Sequence, residues 1–148
     1  MTRTQRLLVL FLRITALVEF VAVVPMVMPI SWMDAAHRAL GMGPLPDGRI
    51  VGYLARSTCA LYAMHGAFFW YASTDIHRHA RLIDLLAAMF LVFGAAMLGI
   101  DLAEQMPWYW VLSEGPWIIG LGVVYLGLNR AARLRRRNDV ARITKSET

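Results

Sequence analysis

The sequence predicts an all-α fold: an integral membrane four-helix bundle with a short interfacial helix in the first extracytoplasmic loop. Three observations predict it. The 148 residues are 58% hydrophobic and only 17% charged, with a mean hydropathy of +0.51, whereas soluble domains run at about 45–50% apolar and about 25% charged. The apolar residues gather into four runs, Leu7–Ile30, Ile50–Tyr71, Leu82–Leu102 and Met106–Leu128, each near the ~20 residues that a spanning helix needs. None of the runs alternates as a barrel strand does, so helix is the backbone that satisfies its own amide groups in lipid. The whole chain, 1–148, then forms one transmembrane domain.

The first run follows Arg3 and Arg6, as a signal peptide would. It is too long for a typical signal core, is interrupted by Arg13 and Glu19, and is followed by no A-x-A site, so it reads as an uncleaved span. The connection after it opens with Ser31-Trp32-Met33-Asp34 and reaches Gly41. Ser31 suits an N-cap with an acid three residues later, and Gly41 suits a stop. Trp32, Met33, Ala36 and Leu40 share a face, which predicts an interfacial helix over 32–40. The turn-rich stretch 41–48 then leads into the second run. There Ala60, Ala63 and Ala67 make a stripe of small residues, and Ala88, Ala95 and Gly99 make another on the third run. Such stripes permit close helix packing.

Basic residues set the orientation. Arg3, Arg6 and Arg13 lie at the start, Arg78 and Arg81 lie in the second connection, and seven more lie in the tail 129–148. With four spans all three groups face one side, which the positive-inside rule assigns to the cytoplasm together with both termini. This pattern is that of a bacterial inner-membrane protein. The tail is a contact for anionic lipid. Without aromatic-basic interleaving or a recognition module, nucleic acid is not an expected partner. Cys59 lies alone in an apolar run and reads as a small buried residue.

Ionisable residues inside a span are costly and point to function. Glu19, Arg56, His65 and Glu114 qualify. With a rise of 1.5 Å per residue, Arg56 lies about 9 Å and Glu114 about 12 Å from the starts of their helices. Their matched depths predict a charge-assisted pair. Glu19 is expected to join them, leaving one carboxylate in excess that can carry a proton. Pro116, just after Glu114 and Gly115, should kink the fourth span, or else 107–115 forms a re-entrant piece. Trp108, Trp110 and Trp117 form an aromatic belt, with Trp117 also a candidate ligand contact. His65, half a turn away from Arg56, lacks a second intramembrane histidine, so a hydrogen-bonded histidine is favoured over a haem ligand or proton site. His77-Arg78-His79 lacks the further ligands of a metal shell, and no metal is expected.

The phrases Pro29-Ile30-Ser31-Trp32-Met33, Tyr53-Leu54-Ala55-Arg56-Ser57, Tyr62-Ala63-Met64-His65-Gly66 and Met106-Pro107-Trp108 resemble those of small bacterial four-helix membrane proteins. In size and span count the chain is also similar to the DoxX-like class. The resemblance implies the four-helix fold and assigns neither an activity nor a residue role. No catalytic constellation stands out, so the expected function is non-enzymatic: a small subunit, accessory factor or scaffold of a membrane complex, with membrane lipid, other subunits or a second copy as partners. The alternative is a site for a lipid, quinone or similar amphiphile near Glu19, Arg56, Glu114 and Trp117, with proton or electron transfer. No cofactor is expected in the first case; quinone or haem belongs to the second.

Overall fold

The computed structural model describes residues 1–146, and their side chains except at 136, 137 and 139–146. The expected lipid contacts of Arg136, Arg137, Arg142 and Lys145 therefore lie outside the described residues. The chain is 82% helical, with no strand among the described residues. Among the described residues seven helices follow in order: α1 (Arg3–Phe20), α2 (Val23–Val27), α3 (Ile30–Ala39), α4 (Arg49–Thr74), α5 (Ala80–Ala103), α6 (Trp108–Ser113) and α7 (Gly115–Ser146). They divide into two compact units. One holds Met1–Leu12 with Ala72–Thr148, and the other holds Arg13–Tyr71.

Among the described residues three helical stretches are long and apolar enough to cross a membrane: Arg3–Val27, Ala80–Ala103 and Trp108–Arg135. This composition marks an integral membrane protein. At most 28% of each apolar window is buried, so most of that surface faces outward, as lipid contact requires. The expected second span, α4, has the length at 26 residues but not the apolarity, because Arg56, Ser57, Thr58 and His65 interrupt it. The helical class is therefore established, while the count of four spans is not.

The local starts and stops have identifiable causes. Thr2 and Gln5 form a reciprocal cap on α1: the Thr2 amide donates to Gln5 Oε1 at 2.8 Å and the Gln5 amide to Thr2 Oγ1 at 3.3 Å. This is a T-x-x-Q capping box. The first apolar run is not one helix. Pro25 has no amide hydrogen, and its ring opposes the carbonyl of Val21. The Val21 carbonyl instead accepts from Val24 at 2.9 Å, a tighter turn, and α1 gives way to α2 there. Met28 is extended, as the residue before a proline prefers to be. Pro29, not Ser31, stands at the N-cap of α3, and no side chain caps it. α7 does not stop at Leu128. It continues through the basic tail to Ser146.

In the first unit α5 and α7 pack through glycine. A Cβ on Gly94 would lie 2.8 Å from Ile119 Cγ1 and 2.9 Å from the Gly115 carbonyl. One on Gly115 would lie 2.7 Å from Leu98 Cβ, and one on Gly122 would lie 2.9 Å from the Ala87 carbonyl. Backbones this close need residues without side chains. The expected stripe of Ala88, Ala95 and Gly99 is exposed instead. The packing face of α5 carries Ile83, Ala87, Phe90 and Gly94, all buried, and ends at the buried Asp101. Tyr125, fully buried, donates its hydroxyl to the Phe11 carbonyl at 3.0 Å.

Candidate functional site

In the second unit α3, α4 and the chain between them surround a cavity of about 1260 Å³. The connection is shaped by left-handed glycines, Gly41 and Gly43 at φ 77° and Gly48 at φ 135°, conformations that cost glycine least. Side chains of α3 then fasten the loop. Asp34 Oδ1 accepts the Leu45 amide at 2.7 Å, while Oδ2 accepts Arg38 Nε at 2.9 Å. His37 Nδ1 meets the Gly43 carbonyl at 2.9 Å. The Arg38 guanidinium, then the Leu45 amide, hold the Asp34 carboxyl below its ordinary value, so Asp34 stays ionised.

One stripe of α4 walls the cavity: Arg49, Gly52, Tyr53, Arg56 and Ala60. Their spacing of three, four and seven residues places them on one helical face. Met26, Ile30 and Val51 supply apolar wall, and Arg38, Asp34 and Asp47 supply further charge. Arg56 is exposed and donates from Nη2 to the Met28 carbonyl at 3.2 Å, at the C-terminal end of α2, where the helix dipole favours a cation.

Glu19 has a different partner from the one expected. Its Oε1 lies 3.0 Å from His65 Nδ1, with the side chains only 10% and 20% exposed. Gly66 explains the approach: a Cβ there would come within 3.1 Å of both the Ala16 carbonyl and Glu19 Cβ. α1 and α4 therefore meet closely one residue from His65. The imidazole also stands edge-on to Phe69, with centroids 5.0 Å apart. Glu19 Oε2 is buried without a hydrogen bond among the described residues. A carboxyl and an imidazole at this distance can hold one proton between them with no change of net charge. With Nδ1 taken up by Glu19, a haem iron would have to reach Nε2, which is buried.

Glu114 and Arg56 fall in different units, and each has a partner in its own. Glu114 Oε2 accepts Trp110 Nε1 at 2.7 Å. Glu114 also marks the break between α6 and α7, with φ −103° and ψ −82°, two residues before Pro116. Trp117, in the first turn of α7, is 67% exposed. Neither residue lines the cavity. Cys59 is partly buried and free.

The sequence reading overlooked a polar cluster in the first unit. Asp84 accepts Arg133 Nη2 at 2.7 Å and Asn129 Nδ2 at 2.8 Å, and Asn129 also donates to the Ala80 carbonyl. Asn129 is almost fully buried. The available signal was Asn129 and Arg133 one turn apart, facing an acid at the start of the third run. His77 takes a hydrogen bond from Gln5 Nε2 at 3.3 Å. Among the described residues no group of three or more His, Cys, Asp or Glu is placed to hold a metal ion.

No family model matches the chain, and neither a curated protein nor a solved structure matches it.

Proposed function

We propose that the protein spans a bacterial inner membrane four times, with both termini in the cytoplasm and α3 lying in the outer interface, and binds an amphiphile in the α3–α4 cavity. The carrying observation is the cavity itself: its lining combines the charges of Arg38, Arg49, Arg56, Asp34 and Asp47 with the apolar Met26, Ile30 and Val51, in a volume of about 1260 Å³. Pockets for lipid or quinone need such a polar end and an apolar body. The Glu19–His65 pair lies further along the same helix. His65 is about 7.5 Å beyond Ala60 by helical rise, on a different face of α4 from Arg56. Trp117 and Glu114 are not needed for this site.

Purification in a mild detergent followed by extraction tests the proposal. We expect one amphiphile retained per chain, and at least half of it lost in Arg56→Ala. Preparations that keep no amphiphile after detergent exchange would overturn it. A second reading, a non-enzymatic small subunit or scaffold, is supported by the polar surface that α4 leaves exposed at Arg56 and Thr58, since lipid covers such residues poorly. Stoichiometric copurification with other subunits, and no bound amphiphile, favours that reading.

A further inference from the structure

The charges around the cavity are unequal. Arg38, Arg49 and Arg56 face Asp34 and Asp47, leaving one positive charge in excess. Asp34 is committed to Arg38 and to the Leu45 amide, so the excess falls to Arg49 and Arg56. These two stand seven residues apart on one face of α4, about 10.5 Å along its axis. Gly52 lies between them, and a Cβ there would meet Ile30 Cδ1 at 3.4 Å, so the Ile30 side chain packs against that stretch of wall. Met26, Ile30 and Val51 continue the wall in apolar form.

We infer that the cavity selects a singly charged phosphodiester headgroup carried on an acyl chain. This rests on the amphiphile reading above and narrows it. A guanidinium recognises phosphate oxygens in a planar, two-pronged geometry. A monoanion cancels the excess charge, whereas a zwitterionic choline headgroup leaves it uncompensated. The apolar wall distinguishes a lipid from a soluble phosphate, which would leave that wall in contact with water.

The full chain, reconstituted in nanodiscs of equal parts phosphatidylglycerol and phosphatidylcholine and then extracted gently, gives the composition of the retained lipid by mass spectrometry. We expect phosphatidylglycerol enriched about tenfold over the bulk, because the choline headgroup carries the same phosphodiester but leaves the excess charge uncompensated. The Arg49→Gln, Arg56→Gln double variant should return to the bulk ratio while still retaining lipid. Arg3→Gln should keep the enrichment. Asp47→Asn adds to the excess charge and should raise the enrichment, which tests the idea even where the arginine variant fails to fold. Retained lipid of bulk composition overturns the headgroup assignment and leaves the amphiphile reading standing; no retained lipid overturns both. Enrichment that survives the double arginine change places the selectivity elsewhere, and displacement by millimolar inorganic phosphate assigns the site to a soluble anion instead.

Discussion

Glu19 and His65 show how residues can be noticed in a sequence while their pairing is missed. Both stood out because ionisable groups in apolar runs are expensive. Their pairing did not, because they are 46 residues apart and only the close approach at Gly66 brings them together. If the pair holds α1 against α4, His65→Ala and Glu19→Gln should each destabilise the protein by about 1–3 kcal/mol, the cost of a buried polar group losing its partner. The double change should fall short of the sum by at least ~0.5 kcal/mol. Thermal unfolding in detergent measures this, and simple additivity would show that the 3.0 Å contact carries no energy. Asp34 offers a residue outside the candidate spans with a pH signature. Its carboxyl is held below the ordinary value of 3.8, first by Arg38 and then by the Leu45 amide. A depressed folded-state value means that its stabilisation is complete above 3.8 and disappears as pH falls through the lower folded value. Protection of the Leu45 amide, corrected for intrinsic exchange, should therefore hold from pH 7 to 5 and drop only as the pH falls below 3.8. Asp34→Ala should lose it at every pH.

Elements add a second lesson, about which face of a helix is the packing face. In soluble helices the apolar stripe marks the core. A spanning helix is apolar on its lipid side as well, so that signal is absent from α5. Ala88, Ala95 and Gly99 were therefore as eligible as Ala87 and Gly94 from sequence, and the contact with α7 turned out to lie one residue round. The glycines permit a sharp comparison. Gly94→Ala and Gly115→Ala place a Cβ within 3.0 Å of the facing backbone or side chain, and each should cost about 1–3 kcal/mol, the range for overpacking. Gly99, Gly120 and Gly127 have nothing within 4 Å. Alanine at these helical positions should be neutral or stabilise by up to about 1 kcal/mol through the unfolded chain. Equal effects at the two sets would contradict close packing of α5 on α7. The helix breaks at Pro25 and Pro116 follow from a missing amide hydrogen. Pro116 was read that way. Pro25 follows the same rule but was hidden inside a long apolar run, where length argued for one continuous span.

For the whole molecule, membrane integration was legible and the number of crossings was not settled. Apolar runs identify helices that lipid accepts, and Arg3–Val27, Ala80–Ala103 and Trp108–Arg135 meet that standard. The fourth helix is decided by a balance: α4 has 26 residues, about 39 Å at 1.5 Å per residue, yet bears an exposed Arg56 and several hydroxyl groups. An arginine at the centre of a span costs about 2.5–3.5 kcal/mol on insertion scales, but Arg56 lies only about 10.5 Å from the start of α4 and can reach the interface by extending its side chain. The Asp84–Arg133–Asn129 cluster bears on the same question, because it places polar groups of α5 and α7 at the end nearest the basic connection Asp75–Arg81. If α4 crosses, that end and the tail share the cytoplasmic side with the N-terminus, in keeping with the positive-inside rule. Reporter fusions after Asp47, after Arg78 and after Arg135 distinguish the arrangements. We expect the first outside and the other two inside. A fusion after Arg135 that reports outside, with the N-terminus inside, means that three helices cross and α4 lies against the membrane.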